Sequence, residues 1–154
     1  MVTLIASESE IMAGGPLEPA LVLTPPRVAS VADDGLLTTS EIAQLRLNAD
    51  WVILSACNTA SADHAGAEAL SGLAKAFFYA GTRALLVSHW SVDSEATVGL
   101  ITGTFRNLAD NPGIGRAQAL RAAMVQMIDA RDSPAAHPAY WAPFVLVGES
   151  VTNR

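Results

Sequence analysis

Short apolar runs alternate along this chain with longer segments of helical period. The runs that we predict to be strands lie near residues 2–5, 20–23, 51–55, 84–88 and 144–147. Such alternation is typical of βα units, which build an α/β fold with a mostly parallel sheet between helices. Because the middle runs are apolar at successive positions, we expect those strands to be buried on both faces of the sheet.

Four helices are predicted between these strands, near residues 38–45, 66–80, 94–109 and 116–130. Thr38 and Glu41 stand three residues apart as a capping box, which favours a helix that begins at this point. Gly81 follows the apolar stripe of the second helix, and we expect it to end that helix in a left-handed conformation. The pattern as a whole predicts a single α/β domain over residues 1–154.

The charge balance excludes several classes of partner. The 154 residues hold 9 Lys and Arg against 15 Asp and Glu, which gives a net charge of −6, and the basic residues form no run. Nucleic acids and anionic membranes attract basic patches, so we expect neither as a partner. The apolar runs fall well short of the ~20 residues that span a bilayer. The amino terminus also lacks the basic and apolar regions of a secretory signal.

Cys57 is the single cysteine of the chain. One cysteine excludes a disulfide scaffold and predicts a reducing location, the cytoplasm. No spacing of Cys and His suits a structural zinc site, and we expect neither a metal nor a cofactor. Cys57 comes just after the predicted strand 51–55, at the sheet edge where ligands of α/β proteins gather. It is either a nucleophile supported by nearby N–H donors or a small buried side chain that packs at a strand end.

Five blocks of sequence resemble, in order and with normal spacing, those of one protein family. They are residues 37–42 (LTTSEI), 54–59 (LSACNT), 66–81 (GAEALSGLAKAFFYAG), 88–92 (SHWSV) and 137–144 (HPAYWAPF). The family is the CHAT domain, a caspase-like peptidase domain often found downstream of tetratricopeptide repeats in bacterial proteins. The resemblance runs from about Leu17 to Glu149.

The resemblance implies a caspase–hemoglobinase fold, a three-layer sandwich with a mostly parallel central sheet, and peptide-bond hydrolysis through a thioester. It implies Cys57 as the nucleophile, paired with a histidine in a dyad. In the family that histidine comes before the cysteine, in a Thr-His-Gly type motif, whereas this chain has ASES at residues 6–9. We therefore expect the chain to lack the amino-terminal part of the domain.

All three histidines of the chain follow Cys57 in the sequence. His64 lies in a polar stretch, and we expect its side chain to be solvated. His89 ends the strand next to that of Cys57, so it lies either near the thiol or buried with its ring bonded to loop carbonyls. His137 precedes a proline and is expected to anchor the loop that leads into the last strand. Without a base, the Cys57 thiol would keep the ordinary pKa of ~8.5.

Asp93 is the candidate for substrate recognition. The resemblance implies that the loop after residues 84–88 selects the substrate, and an acidic side chain there could pair with a basic residue of a peptide. The competing interpretation makes Asp93 the N-cap of the third helix, with Glu95 in its first turn. The two roles do not exclude each other.

Three functional hypotheses follow from the sequence. The first is a CHAT-type cysteine endopeptidase, inactive or incomplete as this chain because the family's histidine is not found. The second is a pseudopeptidase that binds a peptide or protein beside tetratricopeptide repeats or another partner. The third, a small-molecule binder of general α/β type, accounts for none of the ordered blocks.

Overall fold

The computed structural model describes residues 3–5, 18–24, 26–28, 30, 34–54, 64–90 and 92–148. These residues form two three-stranded sheets and four α-helices. Cys57 and residues 6–9, where the family's histidine was sought, lie outside the described residues.

The first sheet is antiparallel. Its strands are β1 (Thr3–Ile5), β2 (Ala20–Val22) and β3 (Leu36–Thr38), in that order. The sequence did not predict β3, because the strand has only three residues and leads directly into a helix cap, which is too short for an alternating apolar pattern. The Leu23 N–H donates to the Gly35 carbonyl over 2.8 Å, which extends the pairing of β2 with β3 by one residue. Gly35 has a φ of +86°, which a glycine adopts without strain.

The second sheet is mixed. Its strands are β4 (Val52–Leu54), β5 (Ala84–Ser88) and β6 (Phe144–Gly148), with β5 in the centre. β4 is parallel to β5, and β6 is antiparallel to it. The expectation of a mostly parallel sheet is therefore wrong for the described residues, where β4 and β5 form the one parallel pair.

The direction of β6 follows from the connection that precedes it. A parallel connection needs one crossover helix, but two helices, α3 (Ser94–Asp110) and α4 (Arg116–Asp129), separate β5 from β6. α3 begins shortly after the carboxyl end of β5, and the pairing of Ser88 with Phe144 shows that the chain after α4 is back at the same edge. From there the chain can enter the sheet only in the direction opposite to β5.

The other two helices confirm the local signals in the sequence. They are α1 (Thr39–Gln44) and α2 (His64–Tyr79). The Thr38 N–H donates to Glu41 Oε2 over 2.8 Å, and the Glu41 N–H donates to Thr38 Oγ1 over 3.2 Å, so the capping box forms. Gly81 has a φ of +93° and ends α2 as predicted.

Strand β5 lies in the centre of the core. All five of its residues are buried, which confirms the expectation of burial on both faces for this strand, whereas Val52 and Ile53 of β4 are only half-buried. Leu85 and Val87 pack with α1, α2, β2 and β4 on one side. Leu86 packs with α3, α4 and Phe144 on the other side. Helices therefore cover both faces of the sheet at β5.

The Glu18 carboxylate ties the start of β2 to the start of α1. It accepts hydrogen bonds from Thr39 Oγ1 and from the Ser40 N–H. Burial acts to raise the pKa of Glu18, but hydrogen bonds from Thr39 and Ser40 together bring it below its ordinary value. A lowered pKa in the folded state means that the carboxylate contributes stability above the unfolded pKa and loses it as the pH falls through the folded value.

We therefore expect Glu18→Gln to lower the free energy of unfolding by about 1 kcal/mol at pH 7, because a hydrogen bond to a charged group is replaced by a neutral one. The difference from the wild type should shrink as the pH falls through the lowered pKa of Glu18. Urea unfolding at pH 7 and pH 3.5 measures both values. Asp132→Asn, at an exposed position, is the control, and equal losses in the two variants at pH 7 would contradict the role given to Glu18.

Candidate functional site

The carboxyl ends of β4 and β5 meet at one edge of the second sheet. The two strands are parallel, with Leu54 opposite Val87, so both leave the sheet on the same side. β5 continues through Ser88 into His89. Cys57 follows Leu54 by three residues in the sequence and lies outside the described residues.

His89 is exposed, so the interpretation of it as a buried histidine is wrong. The burial of β5 ends at Ser88, which is completely buried, and the next residue has already left the core. The His89 main-chain N–H donates to the Pro143 carbonyl over 2.9 Å. Within the part of the chain that the structure describes, the His89 ring makes no hydrogen bond.

A second hydrogen bond joins the segment after β5 to the loop before β6. Trp90 is 45% exposed, and its indole Nε1–H donates to the Ala139 carbonyl over 3.3 Å. With the bond from His89 to Pro143, it holds the two segments side by side at the sheet edge. Sequence reasoning missed this contact, because neither carbonyl carries a side-chain signal.

His137 caps the second of two short 3₁₀ turns in the loop before β6, Pro134–Ala136 and Pro138–Tyr140. Its Nδ1 accepts from the Ala139 N–H over 3.2 Å, which confirms the expected anchoring role. Trp141 Nε1–H donates to the Ala136 carbonyl over 3.2 Å and links the two turns. His64 is the first residue of α2, and its side chain lies outside the described residues.

Asp93 caps α3, as one of its two interpretations predicted. Asp93 Oδ1 accepts from the Ala96 N–H over 2.9 Å, and Glu95 supplies negative charge in the first turn. The main-chain carbonyl of Asp93 also accepts from Thr97 Oγ1 over 2.7 Å. Asp93 is exposed at the same sheet edge as His89, so its recognition of a basic side chain stays a prediction.

Among the described residues, no group of three or more His, Cys, Asp and Glu side chains is arranged to hold a metal ion. An open depression lies at the end of α4 and is lined by residues 129–133, none of which the sequence singled out. No helix in the described ranges is long and apolar enough to cross a bilayer.

Comparison with known proteins gives one family and two curated relatives. The family model of the CHAT domain matches residues 4–149 and so extends further toward the amino terminus than the resemblance that begins near Leu17. Tetratricopeptide repeat protein 28 of Mus musculus is 30% identical over 116 residues, and the Homo sapiens protein of the same name is 29% identical over 116 residues. The match covers 75% of this chain but 4% of each relative.

Proposed function

Because this chain belongs to the CHAT domain family, we propose that it is a caspase-like cysteine endopeptidase domain with Cys57 as its nucleophile. The observation that carries the proposal is the parallel register of β4 and β5, with Leu54 opposite Val87. It brings the strand that precedes Cys57 and the strand that precedes His89 to one edge, where α/β proteins bind their ligands. Helices on both faces of β5 support the three-layer sandwich of the family.

The proposed reaction has two steps: the Cys57 thiolate is acylated by the peptide, and the resulting thioester is then hydrolysed. The Cys57 sulfur attacks the carbonyl carbon of a peptide bond, the amine leaves, and water hydrolyses the resulting thioester. The joined segments around Trp90 and Ala139 form one wall against which the peptide lies. A reducing location such as the cytoplasm keeps the single thiol free to react.

Labelling with an electrophilic peptide tests the nucleophile. We expect an acyloxymethyl ketone peptide ending in Arg to add once to the chain, as measured by intact mass, and not at all to the Cys57→Ala variant. A peptide of the same composition without the electrophile should compete. An adduct of equal yield in Cys57→Ala would contradict the assignment of Cys57, and no adduct in either chain would contradict the endopeptidase proposal.

A second candidate is a pseudopeptidase that binds a peptide or protein without cleaving it. It is favoured by the order of the residues, since all three histidines follow Cys57 rather than preceding it as in the family. The relatives' names point to tetratricopeptide repeats as the region beside which such a module acts. Under this proposal, calorimetry detects peptide binding that Cys57→Ala leaves unchanged, and no label is incorporated.

Asp93 is proposed to recognise a basic side chain of the peptide in addition to its capping role. Two variants separate the roles, because serine preserves an N-cap oxygen but removes the charge. We expect Asp93→Ala to lower the free energy of unfolding by about 1 kcal/mol. Asp93→Ser should retain most of the stability but lose the preference for Arg over norleucine in the labelling peptide. An unchanged preference in Asp93→Ser leaves capping as the sole role of Asp93.

A further inference from the structure

We infer that His137 is a pH-sensitive latch, which holds Trp90 against the loop before β6 while the His137 ring is neutral and releases Trp90 when the ring is protonated. Both hydrogen bonds of the latch meet at Ala139. The Ala139 N–H donates to His137 Nδ1 over 3.2 Å, and the Ala139 carbonyl accepts from Trp90 Nε1–H over 3.3 Å. The inference concerns regulation and does not depend on the proposed nucleophile.

The bond between His137 and Ala139 requires a neutral ring. A neutral imidazole carries its proton on one nitrogen and accepts with the other, so acceptance at Nδ1 places the proton of His137 on Nε2. An imidazolium carries a proton on both nitrogens and has no acceptor left. Protonation therefore turns Nδ1 of His137 into a donor that faces the donor N–H of Ala139. Histidine is the side chain that ordinarily changes its charge between pH 5 and 8.

The Ala139 N–H depends on His137 for its hydrogen bond. His137 is the N-cap of the 3₁₀ turn Pro138–Tyr140, and the proline at the first position of that turn has no N–H. The Ala139 N–H is thus the first donor of the turn, and among the described residues its acceptor is the His137 ring. Because His137 and Ala139 are both exposed, water replaces the ring as the partner of this N–H once the ring is protonated.

Movement of Ala139 reaches Trp90 through the second bond. At 3.3 Å this bond is at the long end of the range for N–H···O bonds, so a small displacement of the Ala139 carbonyl breaks it. Trp90 is already 45% exposed, and a released indole turns toward solvent. The bond from the His89 main-chain N–H to the Pro143 carbonyl involves neither side chain of the latch and stays in place. At low pH the loop therefore opens at Trp90 while β6 remains paired with β5.

The elements around this loop carry titratable side chains of both signs. They are Arg116, Arg121 and Asp129 on α4, Arg131 and Asp132 in the turn that follows it, Tyr140 in the 3₁₀ turn of His137, and His89 after β5. Among the described residues, no carboxylate forms an ion pair with His137 that would hold its protonated ring in the capping position. His89 adjoins Trp90 and is also a histidine, so the experiment has to separate the charges of His89 and His137.

The NMR signal of the Trp90 indole N–H tests the inference between pH 8 and pH 5. His137→Asn keeps a side-chain acceptor for the Ala139 N–H but does not titrate, whereas His137→Ala removes the acceptor at every pH. In the ¹⁵N-labelled wild type, the Trp90 signal is identified by its absence from Trp90→Phe. As the pH falls, we expect it to move to the position that it has in His137→Ala at pH 8. In His137→Asn it should stay at its pH 8 position down to pH 5.

Two results would overturn the inference directly: a Trp90 signal that stays in place in the wild type, or one that moves as far in His137→Asn as in the wild type. Movement that persists in His137→Asn but disappears in His89→Asn would assign the pH dependence to the charge of His89, and it would contradict the latch as well. Movement that persists in His89→Asn and disappears in His137→Asn is the expected result. Since this readout involves no peptide labelling, its outcome is independent of the proposed endopeptidase function.

Discussion

Leu86→Ala is expected to lower the free energy of unfolding by about 3 kcal/mol, because it opens a cavity in the centre of the core. Leu86 is completely buried in the central strand β5 and packs between α3, α4 and Phe144. Alanine removes three carbon atoms and leaves a cavity that the surrounding helices and strand fill only in part. Urea unfolding of the variant at pH 7 measures the loss.

Two further substitutions serve as controls, one in β5 itself and one in the neighbouring strand β6. Leu85 is also completely buried, on the opposite face of β5. Leu85→Ala should therefore lower the free energy of unfolding by about as much as Leu86→Ala. Val147 is paired with Leu85 across the sheet but is 40% exposed, so Val147→Ala should cost less than about 1 kcal/mol. A small loss for Leu86→Ala beside a large one for Leu85→Ala would contradict burial of β5 on both faces.

Asp50→Ala is the second substitution with a large expected effect, a loss of about 2 kcal/mol. Asp50 Oδ1 lies 3.7 Å from Arg116 Nη2 and also pairs with Arg83. The Arg116 side chain is 5% exposed at the start of α4, so the variant leaves a buried guanidinium without this carboxylate. Loss of one partner of a buried ion pair costs about 3–5 kcal/mol, and the half-exposed position of Asp50 reduces that figure.

Comparison with Arg83→Gln separates the contribution of the Asp50–Arg116 pair, whose arginine is buried, from that of the exposed Asp50–Arg83 pair. Arg83 and Asp50 are each about half exposed, and an exposed ion pair contributes about 0–1 kcal/mol. Guanidinium chloride would screen the charges, so urea is the suitable denaturant. Equal losses in Asp50→Ala and Arg83→Gln would contradict a contribution of the Asp50–Arg116 pair to stability.

The sequence predicted the elements whose signals are local. The Thr38–Glu41 capping box, Gly81 at the end of α2 and Asp93 at the start of α3 are each read from a few neighbouring residues, and each forms. The apolar run of β5 predicted its burial for the same reason. A cap or a buried strand depends on residue types at fixed spacing, so it can be predicted without knowledge of the rest of the fold.

Features that depend on distant contacts were not predicted correctly. Strand direction depends on how many helices lie between two strands, and the pair α3 and α4 turned β6 antiparallel. The exposure of His89 depends on where β5 leaves the core, which its apolar run does not show. The bond from Trp90 to the Ala139 carbonyl joins segments 49 residues apart, and a main-chain acceptor has no sequence signature.

The candidate site depends both on a local sequence signal and on contacts between distant segments. Its nucleophile comes from the resemblance of the LSACNT block, since Cys57 lies outside the described residues. The parallel register of β4 and β5, which no sequence pattern specified, brings the strand before Cys57 beside the strand before His89. The account therefore depends on whether Cys57 and His89 are neighbours.

Disulfide formation in the His89→Cys variant tests that proximity most directly. A disulfide requires Cα atoms within about 7 Å of each other, and the native chain contributes one cysteine and no competing thiol. We predict that mild oxidation closes a bond between positions 57 and 89 within the monomer, as shown by intact mass and by loss of free thiol. Val98→Cys, at an exposed position of α3, should keep both thiols free. Two free thiols in oxidised His89→Cys would contradict a site shared by Cys57 and His89.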